Sequence, residues 1–527
     1  MANNILDNVK KLVGIIDKME SVSIEDDDKT LIKKIKFRVE ESEFLLKSKL
    51  HEWDDNMKLF DGKHWELAGV QIPSYKADTI INKFWAAIRS LVAFETDAKP
   101  EPEVESRIDP LDEGAEGIRE GARKVKDSLS YRWDTLNIPN VLTEIYYDRY
   151  IFNDGFGMYF WNILEDDVDF EQLKPREVLR SPGSTSIEDS EYIIVQKWRA
   201  KNWFEYNYPD KIKKVKFQNY KEIVSTETAG LYDTEKSERE NMALVEHYFE
   251  DDIWVIRCGD VILEKKMNPF FEWRTETEQQ EDMREKFGEN WFETFSNWKP
   301  IKNHFIKPEK PIIQFKGYHL GGEFYSKDLA KQVKPLVFAI NKRKCQIMDN
   351  ADGVGNGQWI IDPSVPEDVA RKITSESGLK IRINPALVLK IPGTPLPDFI
   401  FEDLKDSRMM FDDIMGHHEV SRGATTTKRQ TKAEVMVLRE SDITPVRLIM
   451  RNNEVGITAL LNGWVQLMKL FYDQPHYIRR DMSEIGMGYM LVRDEIPENL
   501  SILVKVGSTI PVSKEARRAE FQTLFAA

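Results

Sequence analysis

An α+β fold is what this chain predicts, and three observations carry the expectation. Apolar residues at helical spacing run through the first 150 positions. Short aromatic and β-branched runs, divided by Gly, Asp-Asp and Pro-Gly, fill the middle. Residues 431–474 are then helical almost without break.

Taken in order, "MANNILDNVKKLVGIIDKME" sets Ile5, Val9, Leu12 and Ile16 at helical spacing but interrupts them with charge. That predicts a short amphipathic helix rather than an export signal. "SIEDDDK" reads as an acidic linker. Leu46, Leu50, Trp53, Met57 and Phe60 alternate four and three apart, one apolar helix face ended by Gly62. "TIINKFWAAIRSLVAFETDAKPEPEVESR" is a second helix with an extended segment behind it. Residues 111–135 are helical again, and Pro139 restarts the pattern as far as Tyr150.

From "DGFGMYFWNILEDDVDFEQLKPREVLRSPGS" through "EYIIVQKWRAKNWFEYNYP" the grammar is that of antiparallel strands. A second strand set lies in "MALVEHYFEDDIWVIRCGDVILEKKM", with a hairpin turn at Gly259-Asp260. Residues 275–299 form an acidic, Trp-bearing helical insertion, and "KPEKPIIQFKGYHLGGEFY" a loop-rich crossing. Residues 326–351 are a helix bent or restarted at Pro335, 352–398 a small Gly- and Pro-bounded α/β insertion, and 399–415 a second helix. The stretch 416–430, "GHHEVSRGATTTKRQ", offers no large apolar anchor between Val420 and Val435. In 431–474, Val446, Ile449, Ile457, Leu460, Trp464, Leu467 and Phe471 fall on one stripe; a continuous helix there spans roughly 66 Å, with Pro445 as its kink.

The 527 residues allow about three to four ordinary domains. No run approaches the roughly 20 apolar residues of a membrane span. Two isolated cysteines, Cys258 and Cys345, cannot make a disulfide framework or a zinc site, which fits synthesis in a reducing cytoplasm. A formal charge of −15 argues against a surface that coats DNA, while leaving room for a local basic lining.

Catalytic signals are scarce. No phosphate-cradling G-x-x-x-x-G-K-[ST], nucleophile elbow or H-E-x-x-H occurs. "GVGNG" at 353–357 follows a helix and precedes a strand, the reverse of a dinucleotide loop, and so reads as a turn. His417, His418 and Glu419, with Asp413 a turn earlier, diverge on a helix end and make no metal site. Asp166, Asp167, Asp169, Asp251 and Asp252 fit hairpin turns better than an acid/base pair. No catalytic residue, metal or cofactor is expected. The basic residues are more informative: Lys327, Lys331, Lys334, Lys342, Arg343 and Lys344 oppose only Asp328 and Asp349, and Arg422, Lys428, Arg429 and Lys432 oppose only Glu419. In a monomer such charge is ordinarily a solvated face; repeated around a ring it becomes a lining.

The order of elements from about Trp53 to Ala527 resembles a bacteriophage portal protein. "WDDNMKLFDGKHWE" looks like the portal W-x-x-N…G-x-x-W phrase. "DAKPEPEVESR" and "DGFGMYFWNILEDDVDFEQLKPREVL" are similar to the wing. "YHLGGEFYSKDLAKQVKPLVFAINKRKCQIMDNA" looks like the stem entry, and "IMGHHEVSRGATTTKRQTKAEVMVLRE" like the passage from tunnel loop to long helix. Here "TTTKRQTKAEV" stands in place of the commoner T-A or S-G-x-A phrase.

The resemblance implies an N-terminal helix and acidic linker (1–30), a wing (31–325), stem helices at 326–351 and 399–415, and a clip at 352–398. It further implies a tunnel loop at 416–430, a kinked wing helix with returning strands (431–510) and the start of a crown helix (511–527). It implies a non-enzymatic dodecameric ring at one capsid vertex of the virion, through which double-stranded DNA is packaged and ejected. Partners would be the terminase large subunit, the capsid or scaffolding protein and a head–tail adaptor, with no membrane. DNA would meet Arg422, Lys428, Arg429 and Lys432 in the loop and Lys342, Arg343 and Lys344 in the stem. The alternatives are another structural virion component, or a hydrolase using the carboxylate clusters.

Overall fold

The computed structural model describes residues 25–106, 115–162, 165–218, 241–269, 271, 275–288, 291–294, 309–355, 359–373, 380–391, 394–416, 432–479, 488–497 and 500–505. The amphipathic helix expected before residue 25, the loop at 417–430, positions 295–299 and the crown segment lie outside them. The fold is α+β.

Helix α1 (Glu25–Phe60) takes in most of the acidic run that reads as a linker. Acidic residues suit a helix N-terminus, where the macrodipole is positive, so they begin the helix rather than precede it. It ends before Gly62, which holds φ +79°. In α2 (Lys83–Thr96), the Asn82 carboxamide oxygen accepts the Trp85 N–H at 3.0 Å and fixes the start. After β1 (Pro102–Ser106), α3 (Ala115–Thr135) and α4 (Ile138–Phe152) are divided by left-handed Asn137, with Pro139 in the first turn of α4.

Strands β2 (Asp154–Asn162) and β3 (Asp167–Leu173) form a hairpin with Asp166 at φ +50°. The turn reading therefore holds for Asp166, but Asp167 opens β3 and Asp169 sits inside it. β4 (Val178–Arg180) and β5 (Tyr192–Ala200) follow. The strand expected next is helix α5 (Lys201–Asn207): coiling there carries the fully buried Phe204 into a cluster with Val245, Cys258 and Leu263. β6 (Met242–Glu250), β7 (Ile253–Cys258) and β8 (Val261–Met267) are joined at Asp251-Asp252 and at Gly259-Asp260, as expected. Helix α6 (Glu276–Phe287) starts on a capping box between Thr275 and Glu278.

The loop-rich crossing contains a strand, β9 (Ile312–Lys316), because Ile312, Ile313 and Phe315 are all buried. Helix α7 (Leu329–Gly355) runs through Pro335, begins later than expected and continues through Gly353 and Gly355. The "GVG" that reads as a turn is its last turn. β10 (Trp359–Ile361) and β11 (Val388–Lys390) pair in the insertion, and α8 spans Phe399–Met415. The 40-residue α9 (Lys432–Phe471) passes Pro445 without ending and spans roughly 60 Å. β12 (His476–Arg479), β13 (Gly488–Leu491) and β14 (Leu500–Val504) complete the described chain.

The chain divides into two compact units, Met1–Asp54 with Val92–Lys327 and Ile449–Ala527, and Asp55–Leu91 with Asp328–Leu448. Among the described residues the first holds a three-stranded and a five-stranded antiparallel sheet, ordered β3-β2-β9 and β4-β5-β6-β7-β8, and the two-stranded pairs β1-β14 and β12-β13. β14 returns to pair antiparallel with β1, Val104 opposite Ile502, so the described chain past 475 rejoins the strand-bearing unit.

On the five-stranded sheet, α1 buries Ile35, Val39 and Leu46, and Ser42 Oγ donates to the Arg180 carbonyl at 2.8 Å. On the smaller sheet, α9 buries Ile457, Leu460, Trp464 and Leu467. Phe471 departs from that stripe: it is 39% exposed, with its ring stacked on Trp161 at 4.9 Å. Two helix glycines make this packing possible. A Cβ on Gly456 would lie 2.6 Å from the Phe315 ring, and one on Gly463 2.5 Å from Tyr159.

In the second unit α7 packs on α8. Val333, Val337 and Ile340 are buried on one helix, and Leu404, Phe411 and Met415 on the other. The segment between α1 and α2 is fastened to α7 by hydrogen bonds. Asn341 Oδ1 accepts the Ile81 N–H at 2.8 Å, its Nδ2 lies 2.6 Å from Nδ1 of buried His64, and Asp349 accepts the Ala77 N–H at 2.7 Å.

Candidate nucleic-acid interface

Lys342, Arg343 and Lys344 are consecutive on α7, and successive helical residues turn by about 100°, so they cannot address one surface together. Lys342 is exposed and Lys344 half-buried. Arg343 turns toward α8, its Nε donating to Asp403 at 2.5 Å and its Nη1 to Gln346 at 2.9 Å. Its charge is thus partly neutralised, and its first task is to brace two helices.

Lys334 pairs with Asp55 at 2.8 Å. Lys327 precedes α7 and pairs with Glu323 at 2.6 Å. What remains outward on the helix is Lys331 with Lys342, eleven residues apart. That spacing is close to three whole turns, so both lie on one line roughly 16 Å apart. Sequence periodicity held this signal, because the apolar stripe of α7 already fixes which positions face out. The outward positions of α8 are mixed instead: Glu402, Asp406 and Asp413 are exposed alongside Lys405 and Arg408.

Arg422, Lys428 and Arg429 lie outside the described residues, as do His417, His418 and Glu419. Lys432 is the first residue of α9, and its side chain is likewise outside them. The two ends of the basic segment are fixed. α8 closes at Gly416, left-handed at φ +65°, and helix resumes at Lys432. Among the described residues no group of three or more His, Cys, Asp or Glu is placed to hold a metal ion. No described helix is long and apolar enough to cross a membrane.

A second polar concentration lies in the first unit and escaped sequence reasoning. Glu95 in α2 and Arg149 in α4 are both buried and ion-paired. Tyr150 donates its hydroxyl to Glu95, and Asn453 of α9 donates to Glu95 at 2.8 Å while accepting from Arg149. Burial, then the Glu95 charge, pushes the Tyr150 hydroxyl well above its usual range. The available signal was a lone acid in "SLVAFET" and a lone arginine in "YYDRYIF". A cleft of about 190 Å³ opens beside them, lined by Glu95, Lys99, Trp133, Tyr146, Asn453 and Ile457. Because Glu95, Asn453 and the two Nη groups of Arg149 pair with one another, the cluster suits bracing three helices better than chemistry on a ligand.

Asp154, wholly buried at the start of β2, accepts the Ser326 N–H at 2.7 Å, the Ser326 hydroxyl at 2.6 Å and the Gly317 N–H at 3.4 Å. Burial pushes its carboxyl up to about 6, against those hydrogen bonds and the Lys316 charge. It ties both ends of the 317–326 loop to β2. No protein-family model matches the chain, and no curated protein matches it.

Proposed function

We propose that this chain is the subunit of a phage portal, a ring-shaped, non-enzymatic channel at one capsid vertex that passes double-stranded DNA. One observation carries the reading: the order helix, two-stranded insertion, helix, basic segment and 40-residue helix between Leu329 and Phe471. A helix of roughly 60 Å outside a coiled coil suits a beam in an assembly. In this reading α7 and α8 are the stem, 352–398 is the clip and 416–430 is the tunnel loop.

The charge pattern supports a passage rather than a trap. Neutralising many phosphates at once releases counterions and binds DNA tightly, which opposes sliding. An acidic chain of net charge −15 with exposed Lys331 and Lys342 on α7, and with Arg422, Lys428, Arg429 and Lys432 in the sequence of the basic segment, would touch few phosphates per subunit. The clip would dock the terminase large subunit and afterwards the head–tail adaptor. The strand-bearing unit would meet capsid or scaffolding protein, and a dodecameric ring in the virion is what the family resemblance implies.

The test is the triple variant Arg422→Glu, Lys428→Glu, Arg429→Glu in a packaging reaction with the chain's own proheads and ATPase motor. Six units of charge change per subunit at the narrowest level of a channel, where screening is weaker than on an open surface. Assembly should persist, packaging should fall at least tenfold, and higher salt should restore part of it. Parent-level packaging at low salt would remove the loop from the DNA path.

A further inference from the structure

The cleft beside the Glu95–Arg149 brace has a chemistry of its own. It measures about 190 Å³ and is lined from the end of α2 and from α3, α4 and α9, all within the first unit. Trp133, Pro139, Leu142, Tyr146 and Ile457 give it rings and aliphatic surface. Lys99 and Asp134, both exposed and paired at 2.7 Å, stand at its mouth. The buried side-chain acceptors are already engaged. Glu95 takes the Tyr150 hydroxyl on Oε1 and N–H groups of Arg149 and Asn453 on Oε2, and Asn453 Oδ1 takes a second Arg149 N–H.

Two donors are not engaged. The indole N–H of Trp133, a residue 3% exposed, has no hydrogen-bond partner among the described residues. The Tyr146 ring meets Phe315 edge-on and lies under the Arg149 guanidinium, but its hydroxyl likewise has no partner among the described residues. Burial, against the Arg149 charge, pushes that hydroxyl up, so it stays protonated and able to donate. A buried donor without an acceptor is destabilising, so these two groups are what a guest can satisfy.

We infer that the cleft is a binding site for a small uncharged ring compound that carries a carbonyl oxygen. Such an oxygen offers two lone pairs, one for Trp133 and one for Tyr146. The same two side chains present aromatic surface to a flat ring. Size restricts the guest to about one ring, since a cavity of about 150 Å³ holds benzene. Charge is selected against in both signs. A carboxylate would meet Glu95, Asp97 and Asp134, and an ammonium would find no free buried side-chain acceptor. The inference is independent of the portal reading, since it concerns one chain and a different unit from the basic helices.

The test is binding of acetophenone to the full chain, by calorimetry and saturation-transfer NMR, beside toluene, benzylamine and benzoate. Acetophenone should saturate one site per chain with a Kd below about 1 mM. It should bind at least about tenfold more tightly than toluene, and the two ions should not bind. Trp133→Phe with Tyr146→Phe keeps both rings and removes both donors. That variant should bind acetophenone and toluene equally, a lost preference that mere collapse of the cleft would not produce. No saturable binding of acetophenone to the parent at millimolar concentration would overturn the inference and leave the cleft to water. Equal affinity of the parent for acetophenone and toluene, or an undiminished preference in the double variant, would overturn it too. If the double variant binds neither ring, the single changes decide. Each should cut the preference about threefold, and a preference unchanged in both counts against the site.

Discussion

Asp154 shows how one buried side chain can set a unit's response to pH. Its carboxyl titrates at about 6 in the fold against about 3.8 when exposed, because burial disfavours the charge more than Ser326, Gly317 and Lys316 favour it. A raised carboxyl contributes stability that is present in full below the unfolded value and is lost as pH rises through 6. Buried His247, pushed down to about 3 by burial and nearby cations, works in the opposite sense, so the total profile mixes the two. Comparison with Asp154→Asn isolates one of them. By urea unfolding, the parent should gain roughly 2 kcal/mol on the variant between pH 7 and pH 4.5. A constant difference across that range would show that the carboxylate is fully accommodated by its three donors. Nothing in "NDGFG" marks this aspartate apart from the turn-forming ones, since what distinguishes it is a partner more than 150 residues away. The Glu95–Arg149 pair was equally hidden, its two halves lying in helices that read as ordinary apolar segments.

Among the elements, α9 packs in a way that depends on what is missing from it. Gly456 and Gly463 sit in helix interior, where glycine ordinarily costs about 1 kcal/mol relative to alanine. Here Phe315 and Tyr159 occupy the space a methyl group would need, and both rings are buried. Gly456→Ala and Gly463→Ala should therefore each destabilise the protein by roughly 1–3 kcal/mol through overpacking. Gly117→Ala on α3, which meets nothing within 4 Å, should be neutral or mildly stabilising in the same thermal melts. If Gly456→Ala and Gly463→Ala matched Gly117→Ala, the close approach would be wrong.

Element boundaries were legible where local chemistry decides them. Gly62 and Gly416 end helices in the left-handed region, Pro139 begins one, and Gly259 turns a hairpin. They were not legible where tertiary context decides. β9 looks like loop until β2 pairs with it, and α5 looks like strand until Phe204 finds its cluster. The acidic start of α1 needs the helix dipole before it makes sense.

At the scale of the molecule, charge and element order carry the account. The chain holds 75 basic against 90 acidic residues, so any DNA-facing surface would have to be local, and in the portal reading α7 supplies one candidate line through Lys331 and Lys342. The basic line was only partly legible. Composition marked α7 as a basic helix, but the run Lys342, Arg343 and Lys344 hid the fact that Arg343 turns inward to Asp403. The insertion between α7 and α8 leaves Trp359, Ile360 and Leu389 substantially exposed, which is costly for an isolated two-stranded sheet and gives subunits or partners something to cover. Heterologous contacts of that kind close into rings when the rotation allows. The most direct measurement is negative-stain electron microscopy of the purified full chain at micromolar concentration and physiological salt. The portal reading predicts rings of uniform copy number with a central hole wide enough for duplex DNA. A field of single subunits, or of closed dimers with no axial opening, would contradict it.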